Sequence, residues 1–369
     1  MTNTDNIKNH REPLFHVVKR DDLSGGKAWL IRIATIVIAF LVVGFLSMIV
    51  TSNSFVDTYR IMFVGVFGRL FAGNMTMLWK YLQEIAILLA LALALTPAFK
   101  MKFWNCGAEG QALMGGLASI FCMINFGETL PYPLLLLVIA VSSIVAGAVW
   151  GVIPAIFKAL FNTNETLFTL MMNYIATQLI AYYVYIVGGG SNVINPVSAG
   201  NFPSVGNNDY FVNILIVTII TIVMYIYLKY SKQGYEISVV GESQNTARYV
   251  GINVKKVIVR TMVISGALCG VTGMLLVAGK DHSINVNSVG GQGFTAILIS
   301  WLGQFNPFIM VIMTAIVIFL RLGVAKVADT ALLNSSFSEI MVGIVILMLV
   351  SCEFFVNYSI KIRNKKEVK

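Results

Sequence analysis

The sequence predicts an all-α protein that crosses a membrane many times, and three observations lead to this fold class. Hydrophobic residues make up 57% of the 369 residues and charged residues only 12%, about half the charged share of a soluble domain. The charges lie between long apolar runs, and runs such as residues 28–51 reach the roughly 20 residues that a helix needs to cross the hydrocarbon core. Because these runs are too long for the strands of an outer-membrane barrel, we expect helices that satisfy their own backbone polar groups.

About ten spans are expected within a transmembrane domain of residues 28–356. The eighth is short and rich in glycine, and Pro307, which suits the first turn of a helix, separates it from the ninth. In chain order the apolar runs cover residues 28–51, 81–99, 108–125, 133–157, 166–187, 212–230, 258–279, 291–304, 307–322 and 337–356.

Positive charge sets the predicted orientation, with both termini in the cytoplasm. Lys and Arg concentrate in the cytoplasmic segments of membrane proteins. The N-terminal tail (1–27) and the basic C-terminal tail (357–369) both follow this rule. The net charge of +9 therefore indicates orientation and attraction to anionic membrane lipid, and no nucleic-acid partner is predicted. The Lys and Arg residues that fall outside the cytoplasmic segments are Arg60, Arg69, Lys80, Lys280, Arg321 and Lys326.

Two segments are neither spans nor short loops. Phe55, Tyr59, Met62 and Val66 (with Leu70) recur at helical spacing, which predicts a helix on the outer surface within residues 55–80. Residues 188–211 are rich in Gly, Asn, Pro and Ser, a composition typical of a loop. We place this loop on the extracytoplasmic side.

Neither a cofactor nor a metal site is predicted, and the chain does not look like an enzyme. The four cysteines and three histidines are scattered, without ligand spacing. Residues 273–281 resemble a phosphate loop, but five residues separate the glycines and Asp281 replaces the Ser or Thr that would contact magnesium. Gly291, Gly293 and Ala296 fit the pattern G-x-G-x-x-A, yet no strand is expected before them, so a dinucleotide site is excluded.

Small residues at one-turn spacing predict close helix packing. Gly147 and Gly151 form one such pair, and Gly266 and Gly270 form another. In lipid, small residues allow helix backbones to approach each other. Both pairs are therefore interpreted as packing positions.

The cytoplasmic segment after the sixth span predicts a short helix. Ala247, Val250, Gly251 and Val254 would share one face, with Arg248 (and Gln244 and Asn245) off it. Small residues on one side suit docking of a cytoplasmic partner. A helix lying on the membrane surface without a partner is the alternative from pattern alone.

Three motifs, in order, resemble the permeases of one group of ABC importers, which serves branched-chain amino acids, simple sugars and nucleosides. "ARYVGINVKKVIVRTMVISGALCGVTGMLLVAG" resembles their coupling loop and following helix. "KFWNCGAEGQALMGG" (102–116) resembles the N-x-GAEGQ motif of the nucleoside and simple-sugar members, and "GGQGFTAILISWLG" resembles the corresponding motif of the second half. The resemblance covers about residues 80–355. Trp104 and Cys106 depart from the Leu-Phe-Asn-Ile-Gly form of the subgroup.

The resemblance implies a permease subunit in the bacterial cell membrane, built from two inverted pseudo-repeats. Its partners would be a cytoplasmic ABC ATPase subunit, a second and related permease subunit, and an extracytoplasmic substrate-binding lipoprotein. Within the cytoplasmic loop 241–257, residues 241–254 would form the coupling helix that contacts the ATPase. The residues expected in that contact are Gly241, Glu242, Ala247, Arg248, Val250, Gly251 and Ile252.

The glycine-rich starts of the third and eighth spans mark the predicted translocation path, since interrupted helices at matching positions of two halves are typical of transport sites. Glu109 would otherwise cap a helix or pair with Lys100 or Lys102, and Asn173 would otherwise join helices by hydrogen bonds. The candidate path residues are Glu109, Gln111, Asn173, Gln292, Phe294 and Trp301.

Nucleosides are the predicted substrate, and ATP hydrolysis would come from the separate subunit. Simple sugars such as ribose or galactose are the alternative, with branched-chain amino acids behind them. A stand-alone secondary transporter is the alternative from another class. It is disfavoured because Glu84, Glu165, Glu339 and Glu353 fall near span ends, leaving no visible relay for protons or sodium.

Overall fold

A computed structural model describes residues 15–20, 25–51, 54–68, 75–191, 193–206 and 208–362. The predictions for Arg69, for Leu70 and for most of both tails lie outside these residues. The helices are α1 (Gly25–Thr51), α2 (Phe55–Phe67), α3 (Thr76–Lys100), α4 (Ala108–Phe126), α5 (Tyr132–Phe161), α6 (Glu165–Val187), α7 (Phe211–Tyr230), α8 (Lys232–Glu242), α9 (Gln244–Tyr249), α10 (Val254–Leu276), which continues as a π-helical turn (Val277–Asp281), α11 (Gln292–Leu302), α12 (Pro307–Thr330) and α13 (Ser335–Asn357).

The all-α prediction is confirmed, and each of the ten predicted spans coincides with a helix. Within the described residues, eight helices are long and apolar enough to cross a membrane. The other two are α4 and α11. Polar Glu109 and Gln111 open α4, and α11 has only 11 residues. The ten predicted spans include α4 and α11, which are not among these eight helices. The number of membrane crossings therefore stays a prediction.

Helices α3 and α10 form the centre of the bundle. In the most apolar 18-residue stretch of each helix, 94% of the residues of α3 are buried, and 72% of those of α10 with its π-helical turn. The corresponding share in α1 and in α5 is only 22%. The peripheral helices expose large apolar side chains such as Leu30, Leu137 and Tyr174. Since a helix that is apolar on its outer face needs an apolar surrounding, these faces suit lipid.

Glycines hold α5, α10 and α4 together, which confirms the close packing predicted for both glycine pairs. A Cβ atom on Gly147 would collide with the backbone of Gly266 and Gly270, and one on Gly270 would collide with the Ser143 carbonyl oxygen. A Cβ on Gly115 of α4 would in turn meet the backbone of Gly270. Backbone-to-backbone contact of this kind is available only to small residues.

The variant Gly270→Val is expected to prevent correct packing of α10. Its side chain would meet backbone on both α5 and α4, which cannot move aside as a flexible side chain can, and overpacking costs about 1–3 kcal/mol or more. The yield and melting temperature of the detergent-solubilised protein would measure the effect. Gly26→Val is the control, because nothing lies within 4 Å of a Cβ at Gly26. Equal melting temperatures for the two variants would contradict the packing argument.

The two ends of the chain pair in a small sheet that the sequence did not suggest. Strand β1 (Phe15–Lys19) is antiparallel to β2 (Tyr358–Ile362). The sheet joins the segments that flank α1 and α13, and Arg32 of α1 donates to Glu353 of α13 at 2.8 Å. Both segments therefore lie at one end of the bundle, in agreement with termini on the same side. Which side is cytoplasmic stays a prediction from charge.

Helix α2 and the loop between α6 and α7, the two segments predicted to be neither spans nor short loops, both pack against the bundle. Helix α2 forms where its spacing predicts and buries Met62 and Val66, with Met62 against Gly323 of α12. In the loop between α6 and α7, the Val197 N–H donates to the His282 carbonyl and the Phe202 N–H donates to the Ala278 carbonyl. The loop thus covers the C-terminal end of α10, at its π-helical turn.

Candidate translocation site

The two glycine motifs meet at one carboxylate. Glu109, the second residue of α4, accepts the N–H of Gly291 at 2.8 Å through Oε1 and the N–H of Gly293 at 2.9 Å through Oε2. Gly291 precedes α11 with φ of +74°, a conformation that suits glycine. The N-termini of α4 and α11 therefore face each other, and the acid stabilises the positive end of α11. Glu109 forms no ion pair with Lys100 or Lys102.

This contact lies along the length of the bundle rather than at its end, with Gly293 buried, Glu109 half-buried and Gly291 exposed. The far end of α11 reaches the last turns of α3, where the hydroxyls of Ser300 and Thr96 are 3.1 Å apart and the rings of Trp301 and Phe99 are 6.3 Å apart. With a rise of about 1.5 Å per residue, α11 places Gly293 roughly 12 Å from that level. The segment 101–107 therefore turns back into the bundle after α3 ends, and α4 begins in the interior.

Amide side chains hold the returning segment in place. Gln111 is 1% exposed and exchanges two hydrogen bonds with Asn105, of 3.2 and 3.0 Å. Asn173 of α6 accepts the Gly110 N–H and donates to the Cys106 carbonyl, each at 2.8 Å. Because both amides are committed to protein partners, Gln111 and Asn173 support the wall of the site rather than present free groups to a ligand.

The residues of α11 divide between two faces. Gln292 is 4% exposed, and its Oε1 has no hydrogen-bond partner in the described part of the chain. Phe294 and Trp301 are 48% and 44% exposed on the open face. Trp301 stacks on Trp104, with ring centroids 5.6 Å apart and planes at 24°.

Trp104 is a candidate site residue that the sequence analysis noted only as a departure from the family form. It is 46% exposed, and Phe99 meets its ring edge-on at 5.8 Å. The unusual aromatic residue beside a glycine motif was the signal that could have identified it. The structure adds its partner, Trp301, almost 200 residues away in the chain.

Cysteine chemistry at this site is disfavoured. Cys106 is a free, half-buried cysteine, and burial disfavours the charged thiolate. Within the residues that the structure describes, no group of three His, Cys, Asp or Glu side chains could hold a metal ion.

The segment predicted as one coupling helix is divided in two. Helix α8 ends at Glu242, Ser243 caps α9, and α9 ends at Tyr249. Ala247 is fully buried and Ile252 is half-buried, while Arg248 is exposed.

The face that the helical spacing predicted for Ala247 and Val250 is not formed. Val250 is 61% exposed and Tyr249 is 91% exposed, because the helix has ended there and Gly251 adopts a positive φ of +80°. The exposed tip of this segment therefore consists of Tyr249 and Val250, whereas Ala247 is buried against the rest of the protein.

A glycine joins this segment to the returning segment 101–107. A Cβ atom on Gly241 would collide with the Lys100 carbonyl oxygen at the end of α3 and lie 3.2 Å from the Met101 Cα. The ion pair between Arg260 and Glu236, at 2.8 Å, holds α8 to α10. The end of α8 therefore rests on the backbone that leads to Trp104 and Glu109.

Comparison with known proteins agrees with this architecture. The guanosine ABC transporter permease NupP of Bacillus subtilis is 27% identical over 85% of this chain and 91% of its own length. The glucose ABC transporter permease of Haloferax volcanii is 28% identical over 88% of each chain. The nucleoside ABC transporter permease NupB of Lactococcus lactis is 26% identical over 64% of this chain and 68% of its own.

The family match covers helices α3 to α12, most of α13 and both glycine motifs. Residues 76–350 match the family described as branched-chain amino acid transport system, permease component. This range runs from the start of α3 into α13 and includes Glu109, α8, α9 and α11. The chain belongs to this family of transport permeases and is an integral membrane protein.

Proposed function

We propose that this chain is the permease subunit of an ATP-driven importer and forms the translocation path for nucleosides. The observation that carries the proposal is the contact of Glu109 with Gly291 and Gly293, which joins the N-termini of α4 and α11 inside the bundle. Broken helices whose N-termini meet in the interior are typical of transport sites. Glu109, Phe294 and Trp301 lie at the path, with Gln111, Asn173 and Gln292 in its wall.

The tryptophan pair favours a substrate with a planar ring. Trp104 and Trp301 stack on each other, and each remains nearly half exposed. Stacking of a base on an aromatic side chain contributes about 1–3 kcal/mol and tolerates any base. A free sugar has no aromatic ring, whereas the base of a nucleoside does, so the pair supports nucleosides. The similarity to the guanosine and nucleoside permeases points the same way.

The partners follow from the exposed surfaces. The ATPase would contact α8 and α9 through the tip at Tyr249 and Val250, with Gly241, Glu242, Arg248 and Gly251 near that contact and Ala247 and Ile252 behind it. A second permease would cover the open face of α11 and complete the path. The binding lipoprotein would deliver substrate at the opposite end of the bundle, where the loop between α6 and α7 packs.

Simple sugars are the second candidate, and one finding favours them. The glucose permease of Haloferax volcanii covers as much of this chain as any of the three relatives named above. Ribose and galactose have the hydroxyl groups of a nucleoside without its base. They would pass Glu109 but gain little from Trp104 and Trp301.

Uptake by the whole complex in proteoliposomes tests the function. We expect labelled guanosine to enter in an ATP-dependent manner, and unlabelled nucleosides to compete with it while ribose and leucine do not. Competition by ribose at the same concentration would favour the sugar alternative, and competition by leucine would favour amino acids. ATP-independent uptake by the permease alone would contradict the proposal of an ABC importer.

A further inference from the structure

A cavity with both polar and apolar lining lies between α11, α12 and α13, and Gly290, Gln292 and Thr295 of the second glycine motif line it. Its volume is about 590 Å³, within the roughly 300–1,000 Å³ of small-molecule sites. Gln292 reaches it from the start of α11, next to Gly291 and Gly293, which Glu109 binds. The polar lining consists of Gln292, Thr295, Arg321, Asp329, Ser338 and Glu339.

Several of these groups have no protein partner among the described residues. The buried Gln292 leaves its Oε1 without a hydrogen bond. Asp329 and Glu339 are exposed at the cavity rim and form no ion pair among the described residues. A buried polar atom without a partner costs free energy, so the Gln292 amide beside this cavity indicates a ligand that completes its hydrogen bonds.

Arg321 also retains donors for a ligand. Its nearest acid is Glu84, with Nη2 3.9 Å from Oε2, while Lys280 takes the other oxygen of Glu84 at 2.7 Å. Glu84 is 5% exposed and lies in the third turn of α3. One long contact leaves most of the five N–H donors of a guanidinium unused.

The mixture of groups indicates the chemistry of the ligand. The carboxylates of Asp329 and Glu339 disfavour an anion, and Arg321 disfavours a bare cation. Neighbouring hydroxyl groups each donate one hydrogen bond and accept others, so they can satisfy carboxylates, an amide oxygen and a guanidinium together. A neutral ligand with several hydroxyls fits this lining.

The position of the cavity suits the arrival of substrate. Asp329 is in the last turn of α12 and Ser338 and Glu339 are in the first turns of α13. This end is opposite to the end of α3 on which Gly241 of α8 rests, because α3 and α12 are antiparallel and Glu84 of early α3 faces Arg321 of late α12. Gln292 in the lining is the chain neighbour of Gly291 and Gly293, so the cavity adjoins the contact between α4 and α11.

We infer that this cavity binds the hydroxylated sugar part of the substrate before it passes Glu109. The inference rests on the proposed function and adds a recognition site to it. Glu339 accepts a sugar hydroxyl at the mouth, and the Gln292 oxygen accepts another deeper in the cavity. The base remains free to move on to the tryptophan pair.

Paired substrates test the inference in the reconstituted complex. We expect the wild type to have a KM for 2′,3′-dideoxyguanosine about tenfold above that for guanosine, since a hydrogen bond to a charged group has an effect of this size. In Glu339→Gln and Gln292→Leu the two KM values become nearly equal. Glu128→Gln is the matched control, because Glu128 is exposed and does not line the cavity.

The outcomes separate this inference from the proposed function. If both cavity variants transport guanosine and keep the wild-type ratio of the KM for 2′,3′-dideoxyguanosine to that for guanosine, the cavity does not bind the sugar, although the proposed function remains supported. If the complex carries ribose and no nucleoside, the function is wrong, and the ratio for ribose and 2-deoxyribose then tests the cavity in the same variants. Transport of neither class overturns both. Intact assembly with the ATPase, verified by size-exclusion chromatography, shows that each variant is folded.

Discussion

The variant Glu109→Ala is expected to lower ATP-driven uptake by at least about tenfold. It removes both acceptors of the Gly291 and Gly293 N–H groups, and hydrogen bonds to a charged group contribute about 1.5–3 kcal/mol each. Both N–H groups at the start of α11 would then lose their side-chain acceptor, and the one on Gly293 is buried. The initial rate of uptake in proteoliposomes, normalised to the amount of complex, measures the loss.

Two further variants separate the charge of Glu109 from general damage. Glu109→Gln keeps one acceptor oxygen but turns an N–H₂ group toward a second donor, so its uptake should fall between that of the wild type and Glu109→Ala. Glu128→Ala removes an exposed carboxylate from the turn that follows α4 and should transport normally. Wild-type uptake by Glu109→Ala at equal assembly would show that the contact between the two motifs has no part in transport.

The fold was largely readable from the sequence because lipid imposes a simple rule on it. Apolar length alone located every long helix, and the close packing of Gly147 on Gly266 and Gly270 followed from spacing. Length could not show that α4 and α11 begin inside the bundle. That depends on residues 101–107 turning back, which Asn105, Gln111 and Asn173 enforce through tertiary hydrogen bonds. The pairing of β1 with β2 likewise joins segments from opposite ends of the chain.

The candidate site was located by its glycines, but the sequence could not supply its contacts. Both motifs were singled out as the path, and the structure joins them through Glu109. The partners proposed for that acid from sequence neighbourhood, Lys100 and Lys102, were wrong because neighbours in sequence diverge when the chain turns back. The stacking of Trp104 on Trp301 and the cavity at Gln292 depend on long-range packing, which no local pattern encodes.

The variant Gly241→Val should separate ATP hydrolysis from transport. Its side chain would collide with the Lys100 carbonyl oxygen, so the end of α8 must move away from the end of α3, at a cost of about 1–3 kcal/mol. The exposed tip at Tyr249 and Val250 is untouched, and we expect the ATPase to remain bound. Hydrolysis should continue while uptake per ATP falls at least about tenfold, because motion of α8 no longer reaches residues 101–107 and Glu109.

Simultaneous measurement of ATP hydrolysis and uptake in the same proteoliposomes decides this prediction. Gly26→Val is again the control, since a Cβ there has nothing within 4 Å. A variant with residues 241–254 replaced by a Gly/Ser linker should instead no longer co-purify with the ATPase. It shows what is measured when the ATPase fails to bind. An unchanged ratio of uptake to hydrolysis in Gly241→Val would mean that the motion of α8 reaches α4 by another route. The ion pair between Glu236 of α8 and Arg260 of α10 is then the contact to remove by mutation.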